Sequence, residues 1–398
     1  MSQLRTLDEL GELRDRRVFV RVDFNVPIDG GKVLDTTRLD EALPTLDALS
    51  QRGARLVLAS HRGRPKGRRD ENLSLRPVAA ALAGRWGRPV AFAEDCVGEP
   101  ARRAVDQLAA GEAVLLENLR FHGGEKASDL EFVARLAELA DVFVGDAFGS
   151  AHRAHASVVG VAKALAARAA GLLIQREVAA LSRLLEAPGR PFVAVLGGAK
   201  IEGKMDTLVN LLPKLDAVLV GGGMANTFLA ARGHDLGSSL VEADRLDLAR
   251  DLLAQAQAAD AEMVLPSDLV VTDDLGNPQI VETVDVDHVT ADRMAVDVGP
   301  ETRQGFARRL ESAATVFWNG PLGVFETPPF DAGTTALAEA LVAGNGFTAV
   351  GGGETVAAVR RAGVADRVGH VSTGGGASLE LLAGKALPGV EVLRTEST

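Results

Sequence analysis

Two of the chain's seven histidines, His152 and His155, stand in the stretch DAFGSAHRAH, with Arg153 between them and Asp146 just upstream. Three chemistries use such residues: a metal site, an acid–base site and an anion site. Zinc takes three or four protein ligands backed by a second shell of partners. The single cysteine, Cys96, is remote in sequence, so no cysteine cage and no disulfide framework are available. A histidine titrates near neutral pH and can act as an acid or base, but no activated nucleophile stands beside these two. Converging arginine and histidine side chains hold phosphate and carboxylate, arginine with a two-pronged fork. The anion site fits best.

The same residue types recur where apolar runs end. RVDFNVP carries Arg21, Asp23 and Asn25, alternating along one side of an expected strand, and DTTRLD follows with Arg38. SHRGRPKGRR carries His61, Arg62, Arg64, Lys66, Arg68 and Arg69 with no acid among them, and LENLRF carries Arg120. Arg62, Arg68 and Arg69 are expected to be solvated, and the other arginines and histidines to converge with Arg153 on an acidic ligand.

The second half relies on glycine. Apolar runs end in Gly197-Gly198, Gly221-Gly222-Gly223, Gly351-Gly352-Gly353 and Gly374-Gly375-Gly376, and a helix-like segment follows each. Glycine lets backbone approach a ligand, and helix N-termini offer N–H groups to anions. Four such turns on one sheet edge favour a phosphate or nucleotide site. GAKIEGKM fits the spacing of a P-loop, but Met205 stands where a magnesium-binding Ser or Thr belongs. Lys200 and Lys204 are expected at a helix opening, where a cation opposes the macrodipole unless a phosphate offsets it. GGGET adds Glu354 and Thr355 at another expected helix start, and WNGPLGVFE ends in Glu326, which could bind ribose hydroxyls or merely sit on the surface. The dinucleotide fingerprint G-x-G-x-x-G follows none of the strands, which argues against a dehydrogenase.

These residues need strand ends to carry them. RRVFVRVDF, ARLVLAS, RPVAFAE, EAVLLENLRF and ADVFVGDAF lie in the first half. PFVAVLGG, LDAVLVGGG, EMVLPSD, ATVFWNG, FTAVGGG and HVSTGGG lie in the second. The runs are continuously apolar and alternate with helical patterns, as in parallel sheets covered on both faces. Eleven strands exceed one open sheet of usual size. The expected fold is α/β, with two doubly wound, Rossmann-like, three-layer lobes joined by a hinge helix. Helical spacing over 161–186, stopped by Pro188, Gly189 and Pro191, marks the connection. The expected division is an N-terminal lobe over 1–170, a hinge helix over 171–188 and a C-terminal lobe over 189–385. The tail, 386–398, is expected to return to the first lobe.

Charge is uneven. Residues 1–185 hold 27 Lys+Arg and 25 Asp+Glu, and the remainder holds 16 and 29, together giving −11. The halves are therefore expected to take different ligands. No basic face interleaved with aromatics suggests nucleic acid. The N-terminal MSQLRTLDELGELRDRR lacks a signal-peptide apolar core, and no stretch is long enough to span a bilayer, so a cytoplasmic enzyme is expected.

Nine stretches, in order from residue 21 to residue 378, resemble the phosphoglycerate kinase family: RVDFNVP, SHRGRP, LENLRF, DAFGSAHRAH, VLGGAKIEGK, GGGMANTFL, WNGPLGVFE, GGGET and STGGGAS. The resemblance implies a monomeric, two-lobed enzyme. It would transfer a phosphoryl group reversibly between Mg-ATP and the carboxylate of 3-phosphoglycerate, giving 1,3-bisphosphoglycerate and ADP. It implies that Arg21, Asp23, Asn25, Arg38, His61, Arg64, Arg120 and Arg153 hold 3-phosphoglycerate. It implies that Lys200, Lys204, Gly222, Glu326, Gly352, Gly353, Glu354 and Thr355 hold the nucleotide, with Glu354 toward Mg²⁺. Arg38, Lys200, Gly352 and Gly375 are the positions it assigns to the transfer itself. Two residues depart from the family pattern: Arg62 stands where Leu is usual, and Glu354 where Asp is usual. The attacking carboxylate is already ionised at neutral pH, so no general base is required. The competing reading is a non-catalytic nucleotide-binding protein with a decayed site.

Overall fold

The computed structural model describes residues 3–395. It divides into two compact units: residues up to Ala179 with those from Ala386 onward, and Ala180–Lys385.

The first unit is built on six parallel strands: β1 (Arg17–Val22), β2 (Arg55–Ala59), β3 (Val90–Ala93), β4 (Ala113–Leu116), β5 (Val142–Asp146) and β6 (Ala167–Ala170), in the spatial order β3-β4-β2-β1-β5-β6. In the central strand Val18, Phe19, Val20 and Val22 are all fully buried, as a sheet covered on both faces requires. Helix α1 (Thr37–Gln51) turns Leu39, Ala42, Leu46 and Leu49 inward at helical spacing. Burying each of those leucines contributes about 2 kcal/mol. Two further helices matter to the site, the short α2 (Gly123–Ala127) and α3 (Leu172–Glu186). The chain passes from one unit to the other within α3.

Residues 161–186 do not form one helix. A helical turn over Val161–Ala164 gives way to β6, and α3 starts only at Leu172. Alanine favours helix, but Ala169 and Ala170 are fully buried against Val144 and Gly145 of β5. The edge of the sheet takes small side chains there, and tertiary packing overrides propensity.

The second unit carries β7 (Phe192–Leu196), β8 (Ala217–Val220), β9 (Glu262–Val264), β10 (Asp268–Thr272), β11 (Val281–Asp285), β12 (Met294–Val298), β13 (Thr315–Asn319), β14 (Phe347–Gly351) and β15 (His370–Val371). Six of them form a parallel sheet in the order β9-β8-β7-β13-β14-β15. A separate antiparallel sheet, β11-β10-β12, was not legible in the sequence. Its outer strand VETVD is mostly exposed and acidic, so it lacks the apolar run that marks the others. Four helices follow glycine turns: α4 (Met205–Leu211), α5 (Gly222–Ala231), α6 (Gly353–Arg361) and α7 (Gly376–Leu382). Because the sheet is parallel, all four turns fall on the edge where the strands end. Among the described residues no helix is long and apolar enough to cross a membrane.

Candidate functional site

In the first unit a cationic cluster forms where β1, β2 and β4 end. Arg21, on β1, is only 2% exposed. Its Nε donates to Ser157 Oγ at 2.8 Å, its Nη1 to the Val22 carbonyl, and its Nη2 to His61 Nδ1 at 3.1 Å and Ser150 Oγ at 3.5 Å. The strand ends at Val22, so Asp23 and Asn25 lie in the following loop rather than on the strand. Their alternation with buried Phe24 and Val26 nevertheless persists. Asp23 pairs with Arg38, in the first turn of α1, at 2.6 Å. Asn25 Oδ1 accepts from the Gly63 N–H at 2.9 Å, which ties this loop to the one after β2.

Arg120 sits in a one-turn 3-10 helix after β4, and its Nη1 donates to the Gly63 carbonyl at 2.7 Å. Its Nε is a buried donor without a partner, which suits a ligand oxygen. Burial, together with Arg153 and Arg21, lowers its pKa to about 10, so it stays charged at neutral pH. The histidines behave otherwise. Burial first, then Arg21, Arg120, Arg153 and Arg38, pushes His61 well below its ordinary range. Burial and the charges of Arg120, Arg153, Arg21 and Lys126 bring His155 down to about 4. Both imidazoles are therefore neutral near pH 7. Arg21, Arg38, Arg120, Arg153 and Lys126 outnumber the carboxylates of Asp23 and Glu125, so the cluster carries a net positive charge. That balance suits a phosphate dianion, and a cation would be repelled.

Sequence reasoning missed Glu125. It lies in α2 with no exposure, accepts from Ser157 N–H at 3.0 Å and Ser157 Oγ at 2.7 Å, and stands 3.9 Å from His155 Nδ1. One acid in a short GGEKA stretch carries no local signal. Asp146 does not join the cluster, although it precedes the histidines. Its Oδ1 accepts from the N–H groups of Leu173 and Ile174, capping α3, and burial pushes its pKa up to about 7.

Arg64 and Arg68 are exposed. Arg69 pairs with Glu71 at 2.6 Å. Arg62, expected in solvent, is buried and donates to the carbonyls of Val26 and Asn72. Its charge is spent on backbone rather than presented to a ligand. The one group of His, Cys and Asp atoms close enough for a metal, among the described residues, is Asp95, Cys96 and His122. There His122 and Asp95 already share a 2.7 Å hydrogen bond.

The second unit holds a cleft of about 280 Å³ lined by Gly198, Gly222, Gly223, Leu240, Met294, Leu322, Val324, Glu326 and Glu354. One wall is apolar, and part of it comes from β12. The opposite wall is glycine backbone. Gly222, at φ +64°, packs so closely that a Cβ would lie 2.8 Å from both Gly198 N and O. Gly352, at φ +91°, leaves 2.8 Å between such a Cβ and Asn319 Nδ2. The first N–H groups of α6, from Gly353 to Thr355, have no partner within the helix. Thr355 keeps its side chain out of the cleft, accepting from Gly320 N–H at 2.7 Å. Gly375, at φ +51°, turns the chain into α7.

Lys200 is exposed and lies in an irregular stretch, because α4 begins only at Met205. The helix-opening argument therefore applies to Lys204 alone, which stands at the N-cap. Burial lowers the Lys204 pKa, and Glu354 opposes that shift. Glu354 has no hydrogen bond or ion pair with another described residue. A carboxylate with only the Lys204 charge acting on it fits Mg²⁺, which takes oxygen ligands and few protein carboxylates, while the glycine backbone and helix N–H groups fit phosphate oxygens.

The phosphoglycerate kinase family model matches residues 7–385. The chain belongs to the phosphoglycerate kinase family. A phosphoglycerate kinase from Pelotomaculum thermopropionicum is 52% identical over 382 residues, covering 96% of this chain and 97% of that one. Another, from Desulforudis audaxviator, is 54% identical over 384 residues, with 96% and 97% covered. Among solved structures, phosphoglycerate kinase from Coxiella burnetii is 40% identical, covers 98% of this chain and 99% of its own, and gives a TM-score of 0.88. Phosphoglycerate kinase structures share this architecture of two mainly parallel α/β sheets.

Proposed function

We propose that the protein transfers a phosphoryl group reversibly between Mg-ATP and the carboxylate of 3-phosphoglycerate. The observation that carries this reading is the cluster around Arg120. It is a buried cationic pocket with neutral histidines and an unpartnered guanidinium N–H. The attacking group is already a carboxylate, so the chain need only position it and stabilise charge on the moving phosphoryl.

His61, Arg120 and Arg153 hold the phosphate of 3-phosphoglycerate, with Arg21 behind His61 and Arg64 at the rim. Asp23 and Asn25 orient the glycerate hydroxyl. Arg38 faces the attacking carboxylate. The apolar wall of the cleft takes the nucleobase and Glu326 the ribose. The backbone of Gly222, the α6 N-terminus from Gly352 to Thr355, and the Gly375 turn surround the phosphates. Lys200 and Lys204 supply positive charge there. Magnesium, bound to the nucleotide and to Glu354, would neutralise phosphate charge. Helix α3 is the proposed hinge, since in-line transfer requires the two substrates to meet. Closure would also exclude water and spare ATP from hydrolysis. The enzyme is taken to act as a cytoplasmic monomer.

Calorimetric titration tests the acceptor site. 3-Phosphoglycerate should bind the wild type and bind Arg120→Ala at least tenfold more weakly, a loss of about 1.4 kcal/mol or more. Equal affinity in the two proteins would remove Arg120 from the site.

A further inference from the structure

We infer that Glu125 and Ser157 are positioning residues that act through Arg21 to hold His61 in a single tautomer, with Nδ1 an acceptor and the proton on Nε2. The chain of bonds permits one assignment. The Glu125 carboxylate can only accept, so Ser157 Oγ, 2.7 Å away, donates to it. The Ser157 lone pairs are then turned to Arg21 Nε at 2.8 Å. Arginine has five donors and no acceptor. His61 Nδ1, 3.1 Å from Arg21 Nη2, must therefore be the unprotonated nitrogen.

A neutral imidazole with Nδ1 bare carries its proton on Nε2. That atom makes no hydrogen bond within the described protein and is not sealed from the surface. It is a donor left for the ligand. The largest charge effects on His61 come from Arg21, Arg120, Arg153 and Arg38, all cationic, and they oppose a second proton, while the Asp23 and Glu125 carboxylates in the cluster pair with Arg38 and Ser157. Arg21 meanwhile gives its Nε and both Nη groups to protein atoms. Its charge still favours an anion, but its hydrogen-bond contribution to one passes through His61. Glu125, buried in α2, orients the whole series, and it also offsets the charge of Arg21 and Arg120. The role in substrate binding rests on the proposed acceptor site, but the tautomer does not.

The test uses the full-length, ¹⁵N-labelled protein without substrate, read by long-range proton–nitrogen spectra of the histidine rings at neutral pH. His61→Gln assigns the signals. The expected result is a pyridine-like Nδ1 and a protonated Nε2 in the wild type. Ser157→Ala should give mixed tautomers, with KM for 3-phosphoglycerate raised roughly tenfold and KM for Mg-ATP unchanged. Glu125→Gln should repeat the Ser157→Ala spectrum. If loss of the buried charge unfolds that variant, Ser157→Ala decides alone. A doubly protonated His61, a protonated Nδ1 in the wild type, or an unchanged ring in folded Ser157→Ala would overturn the inference. The expected spectra without 3-phosphoglycerate turnover would instead count against the acceptor-site reading.

Discussion

Arg38, in the first turn of α1, reaches across to Asp23 just beyond β1 and pairs with it at 2.6 Å. The pair aims one guanidinium at the same pocket as His61, Arg120 and Arg153. Arg38 remains partly exposed, at 37%, and so keeps donors for a ligand. Arg38→Ala should lower kcat by a factor on the order of 10² to 10³, the cost of removing a group that stabilises developing charge. KM for 3-phosphoglycerate should change much less. Steady-state kinetics check this, and a variant with normal kcat would confine Arg38 to binding.

Gly222 leaves no room for a side chain. Its Cβ would press on Gly198 backbone, and φ +64° disfavours other residues. Gly222→Ala should cost about 1–3 kcal/mol of stability and weaken ATP binding by displacing the Gly198 turn. 3-Phosphoglycerate affinity should be retained. Thermal melts and separate titrations of the two ligands distinguish these effects.

Glu354 is one methylene longer than the aspartate usual in the family. Glu354→Gln keeps the shape and removes the charge. The Mg²⁺ concentration for half-maximal rate should rise on the order of tenfold, the lower end of losses seen when a metal's supporting partner is removed. An unchanged magnesium profile would take Glu354 out of metal binding.

Asp146 gives a pH signature. Its folded pKa is pushed up to about 7 by burial, whereas an unfolded aspartate lies near 4. The folded state therefore holds this proton more tightly. The stability it contributes is complete below about pH 4 and is lost as pH rises to about 7. His155, with its pKa lowered to about 4, works in the opposite sense. Its contribution is complete above about pH 6.5 and is lost as pH falls toward 4. Asp146→Asn keeps an oxygen to cap α3 and removes only the first effect. The melting temperature of the variant minus that of the wild type should therefore climb between about pH 4 and pH 7. A flat difference would mean Asp146 is not buried against α3 as described.

Much of this architecture was legible because it was written in runs. Eleven of the twelve strands in the two parallel sheets stand where the sequence shows an apolar run, short as β9 and β15 are, and glycine turns follow β7, β8, β14 and β15. The residues brought together in the cationic cluster were legible because arginine and histidine at strand ends are costly unless used. What stayed hidden depended on partners. The alanines of β6 read as helix until β5 supplies a neighbour. β11 borrows its order from β10. Glu125 is one acid among many until α2 buries it beneath Arg21 and Ser157. Arg62 reads as a solvated charge until the carbonyls of Val26 and Asn72 claim it. Lys200 reads as a helix-start lysine until α4 is found to begin at Met205.

Turnover is the most direct measurement. The purified protein would be mixed with 3-phosphoglycerate and Mg-ATP, and bisphosphate formation followed through a glyceraldehyde-phosphate dehydrogenase and NADH couple, with Lys200→Ala run alongside. The account predicts magnesium-dependent turnover that collapses in the variant while ATP still binds. ATP binding without any turnover in the parent protein would contradict it and leave a nucleotide-binding protein with a decayed site.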